Sequence, residues 1–133
     1  MTISDGQAPY HAHIYYTDES REEAAALRER FAAAKADGTI RELLFIGRMG
    51  DHAVGPHPIP EYEIHFTKAM LPAVTTMLGA SGLRALVHPL TDDDVADHTS
   101  LAQWIGDPLP LKLETLDPPG ANQGMARFGK SDF

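Results

Sequence analysis

The sequence predicts an α+β fold: a four-stranded antiparallel sheet with two helices on one face, in the order β-α-β-β-α-β. Two segments, 10–16 (YHAHIYY) and 61–67 (EYEIHFT), are rich in aromatic and β-branched residues and place their polar groups at period two. Two others carry apolar residues at helical spacing and end at Asp37-Gly38 and Ser81-Gly82, where glycine can take the left-handed conformation common after a helix.

Along the chain, residues 1–9 read as a loose arm. Strand one spans 10–16, with His11, His13 and Tyr15 on one face and Ala12, Ile14 and Tyr16 on the other. Ser20 and Glu23 have capping-box spacing before a helix whose apolar stripe is Ala24, Leu27, Phe31 and Ala34. Arg41–Arg48 (RELLFIGR) is a second strand, apolar on both faces at its centre. A loop with three Pro and two Gly follows over Met49–Pro60. The third strand, Glu61–Thr67, turns Tyr62, Ile64 and Phe66 one way and Glu61, Glu63, His65 and Thr67 the other. A helix over 68–80 buries Leu71, Val74 and Leu78, with Pro72 confined to an early turn. Arg84–His88 is the fourth strand. A short helix is expected over Asp92–Ile105, anchored by Val95, Leu101, Ala102 and Ile105, and Leu109–Leu113 as a short edge strand. Residues 115–133 read as an extended tail of the same single domain, 1–133.

This order is the ferredoxin-like one, in which strands one and three are central and strand four lies beside strand one. The helices then cover Ile14, Tyr16, Tyr62, Ile64 and Phe66, and the opposite face carries His11, His13, Glu63 and His65. A sheet face left uncovered is expected to be closed by a second copy, giving a homodimer.

Composition narrows the function classes. At 133 residues and 14.5 kDa, with 43% hydrophobic and 23% charged residues, the chain can bury an ordinary core. Cysteine is 0, which removes a disulfide scaffold, a thiolate metal site and a cysteine nucleophile together. The absence also fits a reducing compartment such as the cytoplasm. A net charge of -8 argues against a nucleic-acid partner, because phosphate contacts need clustered Lys and Arg. No apolar run is long enough to span a membrane, and the first ten residues lack the pattern of a secretory signal.

Seven histidines remain to be explained, at 11, 13, 52, 57, 65, 88 and 98. His13, Glu63 and His88 lie on three neighbouring strands, close enough to converge on one ion. Two imidazoles and a carboxylate form the facial triad of non-haem Fe(II) oxygenases, with positions left open. The same His-x-His spacing also suits two half-exposed polar residues on a solvated sheet face. His57 stands between two prolines in Gly55-Pro56-His57-Pro58, either as part of a rigid turn or as an imidazole pre-set to face a site. His98, in Asp97-His98-Thr99, is either a helix residue bonded locally to Asp94 or Asp97, or an imidazole whose tautomer a carboxylate fixes. His52 reads as a loop residue.

Five motifs occur in order: Tyr10-His11-Ala12-His13-Ile14-Tyr15-Tyr16; Gly55-Pro56-His57-Pro58; Tyr62-Glu63-Ile64; Val87-His88-Pro89; and Asp97-His98-Thr99, followed by Trp104-Ile105-Gly106 and Leu109-Pro110-Leu111. Together they resemble the DOPA 4,5-dioxygenase family over residues 9–114. The resemblance implies a ferredoxin-like fold and extradiol cleavage of a catechol such as L-DOPA by non-haem iron and O2. Its histidines fall on His13, His57, His88 and His98, and its third-strand carboxylate on Glu63; His11 matches less closely. On this reading His13, Glu63 and His88 bind Fe(II), with Zn(II) able to replace it on isolation. His57 and His98 are then the acid–base pair, and His11, Tyr15 and Trp104 line the substrate pocket. Tyr15 and Trp104 equally suit a core or an interface. Two other readings share these features: a dimer that holds a metal or small aromatic ligand without turnover, and a cofactor-free monooxygenase or isomerase.

Overall fold

A computed structural model describes residues 5–116 except 92. Its elements are β1 (Pro9–Tyr15), α1 (Arg21–Asp37), β2 (Leu43–Ile46), β3 (Glu61–Thr67), α2 (Leu71–Ser81), β4 (Ala85–Pro89), α3 (Asp94–His98) and β5 (Gln103–Ile105). The sheet order is β2-β3-β1-β4-β5. Every pairing is antiparallel. The first four strands therefore have the ferredoxin-like order with β1 and β3 central, and β5 adds a fifth strand on the free side of β4.

Why α1 forms and stops is legible locally. Ala24, Leu27, Phe31 and Ala34 are its buried residues, as the stripe requires. Gly38 follows with φ 83°, the left-handed turn that releases the chain from the helix. The capping box, however, does not form. Ser20 makes no side-chain cap bond; its Oγ instead accepts from the Thr17 N–H at 2.9 Å, closing the turn before the helix. In α2, Pro72 sits in the first turn, where its missing N–H costs nothing, and Val74 and Leu78 are buried. A 3-10 turn, Lys68–Met70, precedes it.

Both helices pack on the face carrying Ala12, Ile14, Tyr62, Ile64, Phe66, Ala85 and Val87, which join Leu27 and Phe31 in one apolar core. In register, His11 lies between His65 on β3 and His88 on β4, His13 opposite Glu63 and Leu86, and Tyr15 opposite Glu61. Paired residues in a sheet share a face, so the histidines and the carboxylates all lie opposite the helices.

Several expectations need correction. The helix expected over Asp92–Ile105 is only Asp94–His98. Thr99 Oγ1 donates to Val95 O at 2.6 Å, and Leu101 N–H reaches back to Ala96 O at 2.8 Å, so the chain turns out of the helix. Gln103–Ile105 then pairs with Ala85–Val87, where Trp and Ile suit a strand. Leu101, expected as an anchor, is 49% exposed. The fifth strand thus lies upstream of the expected Leu109–Leu113, a segment without strand structure that ends in a 3-10 turn, Leu113–Thr115. Near the N-terminus, residues 5–7 form a 3-10 turn and β1 begins at Pro9, within the expected arm. The tail beyond 116 lies outside the described residues.

The motive for a homodimer also changes. His11, His13, His65 and His88 are each 2% exposed or less within one chain. Phe45 packs on His65, and His57 and His98 from the connecting segments pack on His13 and His88. No second copy is needed to shelter this face.

Candidate metal centre

The Met49–Pro60 loop brings His57 over the sheet. The chain passes so close to β3 that Gly47 N–H donates to Glu63 O at 2.7 Å, and a Cβ at Gly47 would lie 3.1 Å from that oxygen. Arg28 on α1 ties the same point down by donating from Nε to Gly47 O at 2.8 Å. Further on, Lys112 N–H donates to Pro56 O at 2.8 Å, so the C-terminal segment holds the Gly55-Pro56-His57-Pro58 turn in place. His57 is 1% exposed, its ring 4.2 Å from that of His13. On the other side α3 sets His98 4.3 Å, ring to ring, from His88.

The hydrogen-bond partners fix which nitrogens carry protons. His13 Nδ1 lies 2.6 Å from Glu61 Oε1. His88 Nδ1 lies 2.8 Å from Pro89 O, and His98 Nδ1 lies 2.7 Å from Asp94 O. With Glu61 ionised, all three oxygens only accept, so each Nδ1 donates. In the neutral form all three rings therefore present Nε2 as a lone pair. His98 is oriented by the Asp94 backbone carbonyl, with the Asp94 carboxylate farther off at 3.5 Å.

His13 Nε2 and His88 Nε2 face each other at 2.9 Å. With Glu61 ionised both atoms are lone pairs, and burial, then the neighbouring imidazoles, pushes both rings well below the usual histidine range and so works against a proton between them. A divalent ion relieves the meeting of the two lone pairs. Two nitrogens about 2.1 Å from one ion and about 90° apart are about 3 Å from each other. The donor set thus fits a metal, and the hydrogen bonds behind each ring are those that orient metal-binding histidines.

His11, His13 and His88 offer nitrogens within 4.8 Å of one another; two further groups of this kind are His11, Glu63, His65 and His13, His57, Glu61. The expected trio His13, Glu63 and His88 is not among these groups. Glu63 reaches three rings without a close contact to any: Oε1 lies 3.4 Å from His65 Nε2, and Oε2 lies 3.7 Å from His11 Nδ1 and 3.9 Å from His13 Nδ1. His11 and His65 stack at 3.7 Å with planes 14° apart.

The remaining candidates fall around this centre. Tyr15 OH meets His57 Nδ1 at 2.7 Å, and Trp104 stacks on Tyr15 with ring centroids 5.8 Å apart. Burial raises the Tyr15 pKa and keeps it a phenol; burial, then His98, pushes His57 down to about 3. His52 is exposed and lines a cavity of about 290 Å³ with Arg48, Val54, Glu61 and Glu63. Sequence reasoning put Glu61 on the right face but missed its part in the site. The available signal was period two: Glu61 precedes Glu63 by two residues and shares its face.

Residues 10–115 match the Dopa 4,5-dioxygenase family. The chain is 32% identical over 122 residues to a DOPA 4,5-dioxygenase of Amanita muscaria, covering 87% of this chain and 53% of that protein. It is 34% identical over 119 residues to an uncharacterised 21.2 kDa protein of Botryotinia fuckeliana, covering 80% of this chain and 62% of the relative. The chain thus spans between half and two thirds of these curated relatives. A crystal structure of a candidate dioxygenase from Nostoc punctiforme superposes with a TM-score of 0.72 at 34% identity, over 86% of this chain and 96% of that one. On the family match and these identities, the chain belongs to the Dopa 4,5-dioxygenase family.

Proposed function

We propose that the protein is a non-haem iron extradiol dioxygenase that opens the ring of a catechol, L-DOPA-like substrate with O2. The observation that carries this reading is the His13–His88 pair, two buried lone pairs held 2.9 Å apart by partners behind each ring. His13 and His88 hold the ion, and the third ligand we propose is His11 in place of Glu63, because His11 shares their group of nitrogens. Fe(II) bound there supplies the Lewis acidity and the one-electron chemistry through which O2 reacts with a catechol.

The chain's own residues handle protons and orientation. His98, with Nδ1–H tied to Asp94 O, keeps Nε2 as a base beside His88 and takes the proton of a catechol hydroxyl. His57 stays neutral at working pH and is held by Tyr15. Tyr15 and Trp104 form an aromatic wall against which a substrate ring can stack.

The test is anaerobic Fe(II) loading, elemental analysis, and oxygen uptake with a panel of catechols. One ion per chain and stoichiometric uptake with a ring-opened product are expected. His13→Ala and His88→Ala should each abolish both. An ion retained in the double variant refutes the ligand assignment. Full loading without uptake leaves a metal- or aromatic-binding protein rather than an enzyme.

A further inference from the structure

We propose that Glu61 is a positioning residue, its carboxylate orienting His13 for the metal and His57 beside it. The inference rests on the metal reading above, but it concerns a residue that reading does not use. Glu61 Oε1 lies 2.6 Å from His13 Nδ1 and 3.4 Å from His57 Nε2, so one oxygen faces two imidazoles. Glu63, directly opposite His13 in register, is the carboxylate one would expect to serve His13, yet its Oε2 lies 3.9 Å from His13 Nδ1. Glu61 reaches His13 as a diagonal neighbour across β1 and β3, a separation a long side chain can span. Its backbone is held where β3 begins: Tyr16 N–H donates to Pro60 O at 3.2 Å, and Tyr16 OH donates to Glu61 O at 3.4 Å.

The tautomers explain what the carboxylate does. By accepting from His13 Nδ1–H, Glu61 leaves Nε2 as the lone pair that meets His88. A carboxylate behind the ring also raises the donor strength of Nε2, the effect seen where carboxylate–histidine pairs bind metals. The second imidazole is held between Tyr15 and Glu61. Tyr15 OH meets His57 Nδ1 at 2.7 Å, and where the phenol is the donor the His57 proton sits on Nε2, 3.4 Å from Glu61 Oε1. One carboxylate thus sets the His13 tautomer with Nε2 as a lone pair and stands against the Nε2 end of His57. Without it His13 can carry its proton on Nε2, and the nitrogen facing His88 is then blocked.

Two readouts other than turnover test this. Co(II) alone is titrated against a competing chelator, and 15N NMR of the metal-free protein reports the His13 tautomer. Glu61→Ala should weaken Co(II) binding by roughly 10- to 100-fold and mix the His13 tautomers. Glu61→Gln, which can still accept at Nδ1 and keeps the side-chain shape, should retain the tautomer but lose part of the affinity; it serves if the Ala variant does not fold. Glu63→Gln should leave the His13 nitrogen shifts as in the parent. Unchanged Co(II) affinity in both Glu61 variants overturns the proposal, as does a tautomer change in Glu63→Gln but not in Glu61→Ala. If the parent protein takes up no metal, the enzymatic reading fails first and this one with it. If the parent binds and turns over while the Glu61 variants bind equally well, only this inference fails.

Discussion

Acidification of the metal-free protein should cost stability through His57 in a way that can be calculated. In the unfolded chain an imidazole titrates near 6.5, whereas His57 in the fold is pushed down to about 3, by burial first and by His98 second. The folded-state pKa is depressed, so below pH 6.5 the unfolded state binds a proton that the folded state refuses. Stability is therefore intact above about pH 6.5 and is lost as pH falls toward 3. Between pH 7 and pH 5 the loss from His57 alone is about 2 kcal/mol, at about 1.4 kcal/mol per unit once the unfolded imidazole is charged. His13 and His88 are shifted in the same direction by burial and steepen the slope. Against a typical total of about 5–15 kcal/mol this is readily measured. Urea unfolding at several pH values, followed by the fluorescence of Trp104, the single tryptophan, gives the stability curve. His57→Gln removes the titrating group and should flatten the curve between pH 7 and 5 by about 2 kcal/mol. A parent curve that is flat over this window, or a His57→Gln curve with the parent's slope, refutes the reasoning.

Three further outcomes are expected. Phe31→Ala should lower stability by about 3–5 kcal/mol in urea unfolding, because Phe31 is 0% exposed at the centre of the helix–sheet core. Gly38→Ala should cost about 1–2 kcal/mol at φ 83°; nothing lies within 4 Å of an added Cβ, so the loss is conformational and the metal content of the loaded protein should not change. His98→Ala should lower turnover about 100-fold in oxygen uptake while leaving bound iron nearly unchanged, since His98 is placed as a base and not as a ligand; loss of iron in parallel with turnover would instead make it a ligand.

The order of elements and the two faces of the central strands were legible in the sequence, because each depends on residues close together in the chain. Period two in Glu61–Thr67 puts Ile64 in the core and Glu63 on the other face, and a slip of one residue would reverse both. The stripe Ala24, Leu27, Phe31 and Ala34, and the glycines at 38 and 82, are equally local signals. Two errors came from side chains that compete with the backbone: Ser20 bonds Thr17 rather than its own helix, and Thr99 ends α3 early, which frees Gln103–Ile105 to pair with β4. The histidines too were visible as a set, but their relations were not. Register alone sets His13 opposite Glu63, yet the carboxylate that reaches it is the diagonal Glu61, a choice made by side-chain direction. Whether the histidine face meets solvent or a partner depended on where the Met49–Pro60 loop and α3 return, through contacts such as Lys112 to Pro56 that are distant in sequence. Only the tertiary structure decided that the chain covers this face itself, and that the Pro89 and Asp94 carbonyls orient the buried His88 and His98 rings.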